Sequence, residues 1–410
     1  MSLDSLFSRW DRAATRILRI VARTVRVAQG EHGVVMKTNR GYGSRDEIFM
    51  IGRVFRQSRP HRGADDSLIH QLRDIGRRIS RRAVPGVAVT AEFGGTQQQV
   101  STDRDGYFRI HLRPRDRPPP NRLWHVVHLI LERPLPVRAE GQVFIPPEHY
   151  RFVVISDIDD TVVKTGVANK LKMLWRLFVE DAESRTAFPG VAALYRALHA
   201  GASGDEANPM LYVSRAPWGI YEVLDEFFTR HAIPVGPILF LREWGVSWTS
   251  PLPRRAEDHK RELIRRMLAL YHELPFVLIG DSGQRDPEGY RQVVDENPGR
   301  VLAVYIRNVS HGSRRIKEIE ELAKAVAAAG SSLVLAADSS AIADHAAKLG
   351  LIDPAAVTTV ASEEAAEGGS RTRVRTLHTE TSEGELRDVL GSDPGGEPPN
   401  VVVEPDKPQG

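Results

Sequence analysis

From residue 152 onward the chain alternates between short apolar runs and stretches with helical spacing. No other feature constrains the fold as tightly. The runs are "FVVIS" (152–156), "LYVS" (211–214), "ILFL" (238–241), "FVLIG" (276–280), "VLAVYI" (301–306) and "SLVLA" (332–336). Between several of them lie helical patterns such as "VAALYRALHA", "IYEVLDEFFTRH" and "KRELIRRMLALYHEL". Strands that are apolar on both faces and alternate with helices belong to an open parallel sheet covered on both sides. The expected fold class is therefore α/β for this half of the chain.

In such sheets, ligands sit at the carboxyl ends of the strands. Three of those ends carry polar groups that can do chemistry. The first run leads into "SDIDDT", with Asp157, Asp159, Asp160 and Thr161. The second ends in Ser214. The fourth runs into "GDSGQRD", with Asp281 and Asp286. Lys260 opens the helix that leads into that fourth strand. It is the only lysine between Lys172 and Lys317 in a chain that otherwise prefers arginine. A compact ammonium fits between a carboxylate and a phosphate where a wide, planar guanidinium does not.

So many acids in one crevice need a cation. The chain has no cysteine, and its histidines are scattered, with His259 beside Lys260 the one nearest this cluster. An all-oxygen donor set favours Mg²⁺. Mg²⁺ with open positions binds phosphate, and an adjacent Asp can attack phosphorus once the metal and a lysine neutralise the charge. A second acid two residues on can protonate the leaving oxygen. Read alone, "DIDDT" is also compatible with an acidic turn or helix cap. Its order with Ser214, Lys260 and the Asp281/Asp286 pair argues against that.

Upstream of residue 150 the pattern is one of strands. "EIFMIGRVFRQ", "VAVTAEFGG", "QQQVSTD", "GYFRIHLRP", "HVVHLILERP" and "VRAEGQVFIP" are strand-like and "DDSLIHQLRDIGRRISRRAV" is helical. The expected organisation is a basic amphipathic helix and linker (1–45) and a β-sandwich-like domain with a helical insertion (46–148). An α/β catalytic domain (149–355) and an acidic disordered tail (356–410) follow. "GYG" at 41–43 neither follows a strand nor opens a helix, and reads as a turn. Trp218 and Tyr221 fit helix core better than the lining of a lipid entrance.

Charge is unevenly distributed. Residues 1–83 carry 18 Lys/Arg against 8 Asp/Glu, a net of +10, and 355–410 carry 5 against 11, a net of −6. In the first segment Phe7, Trp10, Ala14, Ile17, Val21 and Val25 share one helical face, and arginines crowd the other. Such a helix can lie on an anionic membrane, or pack on the protein with a solvated Arg face. No apolar run approaches the roughly 20 residues that span a bilayer, and the N-terminus lacks the apolar core of a signal peptide. The expectation is a cytoplasmic protein, peripheral at a membrane if the helix binds one, with no nucleic-acid partner.

The order "DIDDT", "YVS", "HKREL", "GDSGQRD" resembles the four motifs of the haloacid dehalogenase (HAD) superfamily, Asp-based phosphohydrolases and phosphotransferases. More narrowly, "ISDIDDTVVKTG", "YVSRAPWGIYEVLDEFF" and "FVLIGDSGQRDPEGY" resemble the catalytic domain of the actin-patch-associated phosphatidate phosphatase family. "RGYGSRDEIFMIGRVFRQ" resembles the β-rich segment that precedes it in bacterial relatives. The resemblance implies a HAD-like Rossmannoid parallel sheet with helices on both faces, preceded by the small β-sandwich-like domain. It implies Asp157 as nucleophile, Asp159 as general acid/base, Thr161 supporting the loop, and Ser214 and Lys260 on the phosphoryl group. Mg²⁺ would be held by Asp157, the backbone carbonyl of Asp159, Asp281 and Asp286. The sequence departs from the family at Arg215, Ala216 and Gly219, and at Gly289, where Ile is usual. An Arg at 215 suits a dianionic phosphomonoester.

Three functions are compatible with this. One is a Mg²⁺-dependent phosphatase for a lipid phosphate such as phosphatidate, yielding diacylglycerol through an aspartyl-phosphate. A second is a HAD phosphatase for a soluble phosphomonoester. The third is a non-catalytic phospho-accepting or scaffolding protein, but a receiver domain places its lysine after the last acid pair, whereas Lys260 precedes Asp281. Only 56 residues separate Asp157 from Ser214. That leaves no room for a large cap over the site, and favours a bulky or membrane-embedded headgroup.

Overall fold

The computed structural model describes residues 28–29, 33–56, 82–133, 136–146, 150–158, 189–214, 221–240, 256–283, 285–309, 313–368, 374–378 and 400–405. They form two sheets. The first contains β1 (Ala28–Gln29), β2 (Val34–Thr38), β3 (Gly41–Gly43), β4 (Ile48–Arg56), β5 (Arg82–Ala83), β6 (Ala88–Phe93), β7 (Thr96–Ser101), β8 (Tyr107–Leu112), β9 (Trp124–Leu131) and β10 (Val137–Phe144). Every ladder in it is antiparallel except that between β3 and β10.

Alternation fixes which side of these strands is buried. Ile48, Met50 and Val54 of β4 turn inward with Phe108, Ile110 and Leu112 of β8 and Val127, Leu129 and Leu131 of β9. By hydrogen bonding this is one ten-stranded sheet. The parallel β3–β10 pair joins what would otherwise be separate halves.

Gly41–Gly43 is a strand and not a turn, and with β1 and β2 it extends the sheet upstream of residue 46. Short strands with glycine lack the apolar alternation that marks the others. The helical pattern at 65–84 and the basic helix at 1–26 lie outside the described residues, except for its last three positions, where Arg82–Ala83 form β5.

The second sheet contains β11 (Val153–Asp157), β12 (Met210–Ser214), β13 (Ile238–Phe240), β14 (Phe276–Asp281), β15 (Val301–Arg307), β16 (Ser332–Ala336), β17 (Val374–His378) and β18 (Asn400–Glu404). All six apolar runs read from the sequence are strands of it. The order is β13-β12-β11-β14-β15-β16-β18-β17, and only the β16–β18 ladder is antiparallel.

Successive residues of each central strand feed opposite cores. Val154, Val277, Ile279 and Tyr305 pack with helices α1 (Val191–Ala200), α2 (Tyr221–Arg230), α6 (Ser339–Lys348) and α7 (Pro354–Ala366). Val153, Ile155, Leu278 and Val304 pack with α3 (Ala256–Leu270), α4 (Asp286–Glu296) and α5 (Ser313–Ala328). Helices therefore cover both faces, as the uninterrupted apolar strands require.

The expectation of a disordered tail from 356 is corrected. Residues 354–366 are helical, and Val401, Val402 and Val403 of β18 are buried in both cores. A single "NVVV" run supplies a core strand. Acidic composition averaged over 55 surrounding residues hides it.

Candidate active site

Chain order and sheet order place the crevice. From β11 the sheet grows to one side through β12 and β13, then jumps to the other side with β14. The carboxyl ends of β11 and β14 flank this reversal, which is where ligands bind in sheets of this kind. Asp157 ends β11 and Asp281 ends β14.

Parity then decides which side chains meet. Val153 and Ile155 face the α3 side, so Asp157 faces it too. Lys260, in the first turns of α3, donates from Nζ to Asp157 Oδ2 at 2.6 Å. It also donates to Asp286 Oδ1 at 2.6 Å. Lys260 and Asp286 are buried, and the Asp157 side chain is 3% exposed. The ring of Tyr290 lies under the ammonium, 5.2 Å away. That tyrosine is fixed by donating to the carbonyl of Ile279 at 3.0 Å.

Asp286 is tied to its neighbour as well. The Asp281 backbone N–H donates to Asp286 Oδ2 at 3.2 Å, and the Gly283 N–H donates to Asp281 Oδ1 at 2.8 Å. Ligand oxygens of Asp157, Asp281 and Asp286 all lie within 4.8 Å of one another. Among the described residues this is the only grouping of three or more such side chains.

The electrostatics follow from burial. Burial opposes the charge on Lys260, but Asp157 and Asp286 outweigh it and hold the ammonium well above its usual range. Burial pushes the Asp286 carboxyl up, Lys260 pulls it down, and the nearby Asp157 charge pushes it up again. The three carboxylates and the Lys260 ammonium sum to a formal charge of −2 in a largely buried cluster. A divalent, oxygen-preferring cation matches that donor set.

Ser214 ends β12, one residue beyond the Val213 that lies opposite Asp157, and is fully buried. The structure thus brings Asp157, Lys260, Asp281 and Asp286 together, with Ser214 at the adjacent strand end. Asp159, Thr161 and Arg215 lie outside the described residues. Among the described residues, buried His259 Nε2 has no hydrogen-bond partner, and the ring is not part of the acid cluster.

Three residues of this surround were not singled out from the sequence. Tyr290 and Gly280 lie inside the "FVLIGDSGQRDPEGY" segment but carry no charge to draw notice. Tyr195 of α1 holds the other face of β11, its hydroxyl 2.6 Å from Ser156 Oγ. Strand parity at Ser156 was the available signal.

Residues 152–308 match the family model described as the catalytic domain of phosphatidate phosphatase APP1. This segment is similar to the APP1 catalytic domain. All five placed residues, Asp157, Ser214, Lys260, Asp281 and Asp286, fall within it. Phosphatidate phosphatase APP1 of Saccharomyces cerevisiae is 31% identical over 173 residues, 42% of this chain and 28% of that protein. An uncharacterized protein of Schizosaccharomyces pombe is 28% identical over 157 residues, 38% of this chain and 25% of its own. The chain therefore spans about a quarter of the length of the curated relatives it matches. Among solved structures, a carbohydrate acetylesterase from Xanthomonas citri aligns with 69% of this chain and 71% of its own at 10% identity. Its TM-score is 0.23, and nothing about this chain follows from it. Among the described residues, no helix is long and apolar enough to cross a membrane.

Proposed function

We propose that this protein is a Mg²⁺-dependent phosphatase that removes the phosphate from a lipid phosphomonoester such as phosphatidate, releasing diacylglycerol. The observation that carries this is the buried Lys260 ammonium bridging Asp157 and Asp286, with Asp281 beside them at a strand-end crevice. The name of the yeast relative supports the substrate class. The catalytic unit is a HAD-like Rossmannoid sheet, and the β-rich sheet precedes it.

Asp157, Asp281, Asp286 and the carbonyl of Asp159 would hold Mg²⁺, which when bound supplies charge neutralisation on the phosphoryl oxygens. Lys260 grips Asp157 Oδ2 and so fixes the direction in which the carboxylate presents its other oxygen. That oxygen attacks phosphorus and the P–O bond to the glycerol breaks. Asp159 gives its proton to the departing alkoxide. The Ser214 hydroxyl, with Thr161 and Arg215, orients the phosphoryl oxygens. Water then attacks the aspartyl-phosphate, Asp159 takes its proton, and inorganic phosphate leaves with Asp157 restored. The Arg-rich segment near the N-terminus supplies contact with an anionic membrane surface.

The test is phosphate release from phosphatidate in mixed micelles, with Mg²⁺ and with chelator, for wild type and Asp157→Asn. Release that needs both the metal and Asp157 is expected. Asp157-dependent turnover of a small soluble phosphomonoester with none of phosphatidate would remove the lipid substrate and keep the chemistry. Inactivity on both would remove the enzyme.

A further inference from the structure

The two acids of the fourth strand end, Asp281 and Asp286, are held by different elements. Asp281 ends β14 and Asp286 opens α4. Their carboxylates work together only if the β14 end and the α4 start keep a fixed separation. Among the described residues, a 3.2 Å hydrogen bond from the Asp281 N–H to Asp286 Oδ2 links the two directly.

A single side chain from a third element spans the outside of this junction. Arg315, in the first turn of α5, donates from Nε to the carbonyl of Ser282 at 3.1 Å. Its Nη1 and Nη2 donate to Glu288 Oε1 at 2.6 Å and Oε2 at 3.0 Å. Ser282 directly follows Asp281, and Glu288 lies two residues after Asp286 in the first turn of α4. The guanidinium thus grips Ser282, next to Asp281, and Glu288, two residues past Asp286, at once. It is half-buried, so these bonds are less open to competition from water.

Ser282 is further fixed from the same side. Its N–H donates to the Arg307 carbonyl at 2.9 Å, and the Val309 N–H donates to its Oγ at 3.0 Å. With Ser282 held by β15 and its continuation, Arg315 is the group that transmits that position to α4. The planar fork matters, because a lysine cannot make two parallel bonds to Glu288 and a third to a carbonyl.

We infer that Arg315 is a positioning residue that sets the separation of Asp281 and Asp286, and so the affinity of the site for a divalent cation. The inference rests on the proposed role of these acids as metal ligands. Groups that orient metal-binding side chains from behind change metal affinity by about 10–100-fold when removed.

The experiment is calorimetric titration of the full-length protein with MgCl₂, without substrate, alongside melting temperatures in chelator. Wild type comes first: binding that Asp281→Asn abolishes is expected, and its absence would overturn the metal-ligand role itself, separately from Arg315. With wild-type binding in hand, Arg315→Ala should raise the Mg²⁺ Kd about tenfold, and Arg315→Lys should recover part of that. A Kd for Arg315→Ala within about twofold of wild type overturns the inference. If Arg315→Ala does not fold, Glu288→Gln takes its place, since it keeps the bond to Ser282 and weakens only the fork. An increase of about threefold is then expected, and an unchanged Kd overturns the inference.

Discussion

Gly280 lies so close under Asp286 that a methyl group on the glycine would come within 2.4 Å of Asp286 Oδ2 and 2.9 Å of its Cβ. The reason is strand parity. Phe276 and Leu278 face the α3–α4 side, so residue 280 points straight at the start of α4. The missing side chain is what lets Asp286 reach both Lys260 and the Asp281 N–H.

Gly280→Ala should therefore displace Asp286 while leaving the strand intact. Misplacement of a reacting or metal-holding group by about 1 Å can cost about 10²-fold in rate. The expected outcome is a drop in kcat of that order with a folded protein by circular dichroism. Wild-type turnover by Gly280→Ala would mean that Asp286 is not needed where it stands.

Lys260 donates to both Asp157 and Asp286, and its removal takes a positive charge away from two buried carboxylates. Breaking a buried ion pair from one side costs about 3–5 kcal/mol. Lys260→Met should lose stability of that size in urea unfolding with chelator present, and lose turnover as well. Lys260→Arg keeps the charge but brings a wider, planar group to a buried position between two carboxylates, and should not restore activity. Full activity in Lys260→Arg would show that charge alone suffices there.

The α/β half of the fold was legible because its strands are buried on both faces. Six apolar runs, punctuated by glycine, proline and helical spacing, allowed no other sheet. The acids at the strand ends were legible for the complementary reason, that charge directly after a buried strand is costly unless it is used. Lys260 stood out against an arginine-rich background. What escaped notice acts through shape or distance: Gly280 by the atoms it lacks, Tyr290 by packing under the Lys260 ammonium, Tyr195 by its hydroxyl contact with Ser156, and Arg315 by bridging residues 27 and 33 positions away. The β18 strand escaped because a run of four apolar-compatible residues inside an acidic segment has no periodicity to read. β3 escaped because its two glycines mimic a turn.

Gly289 contrasts with Gly280. It lies inside α4, and a Cβ there would meet nothing within 4 Å among the described residues. A glycine in a helix interior costs about 0.5–1 kcal/mol relative to alanine. Gly289→Ala should raise the unfolding free energy by about that much, read as a higher urea midpoint with an unchanged slope. A lower midpoint would mean that the glycine backbone conformation is needed where α4 passes Lys260.

His345 gives the structure a pH dependence of its own. The ring is buried on α6, with Tyr305 Oη 3.2 Å from Nδ1 and Glu404 3.8 Å from Nε2. Burial, with a smaller push from Lys348, lowers its pKa from 6.5 to about 4. Between those two values the unfolded chain takes up a proton that the folded protein refuses. Stability therefore rises with pH through this window: the contribution is fully present above about pH 6.5 and is lost as the pH falls towards 4. At 1.36 kcal/mol per unit, the whole effect is about 3 kcal/mol. Glu364 and Asp286, whose carboxyls are raised by burial, bend the same curve the other way. The difference between wild type and His345→Gln isolates the histidine. Urea unfolding at pH 7, 5.5 and 4.5 should show wild type losing more stability than His345→Gln at each step down. Parallel curves for the two proteins would mean that the folded state takes up a proton at His345 as readily as the unfolded chain does.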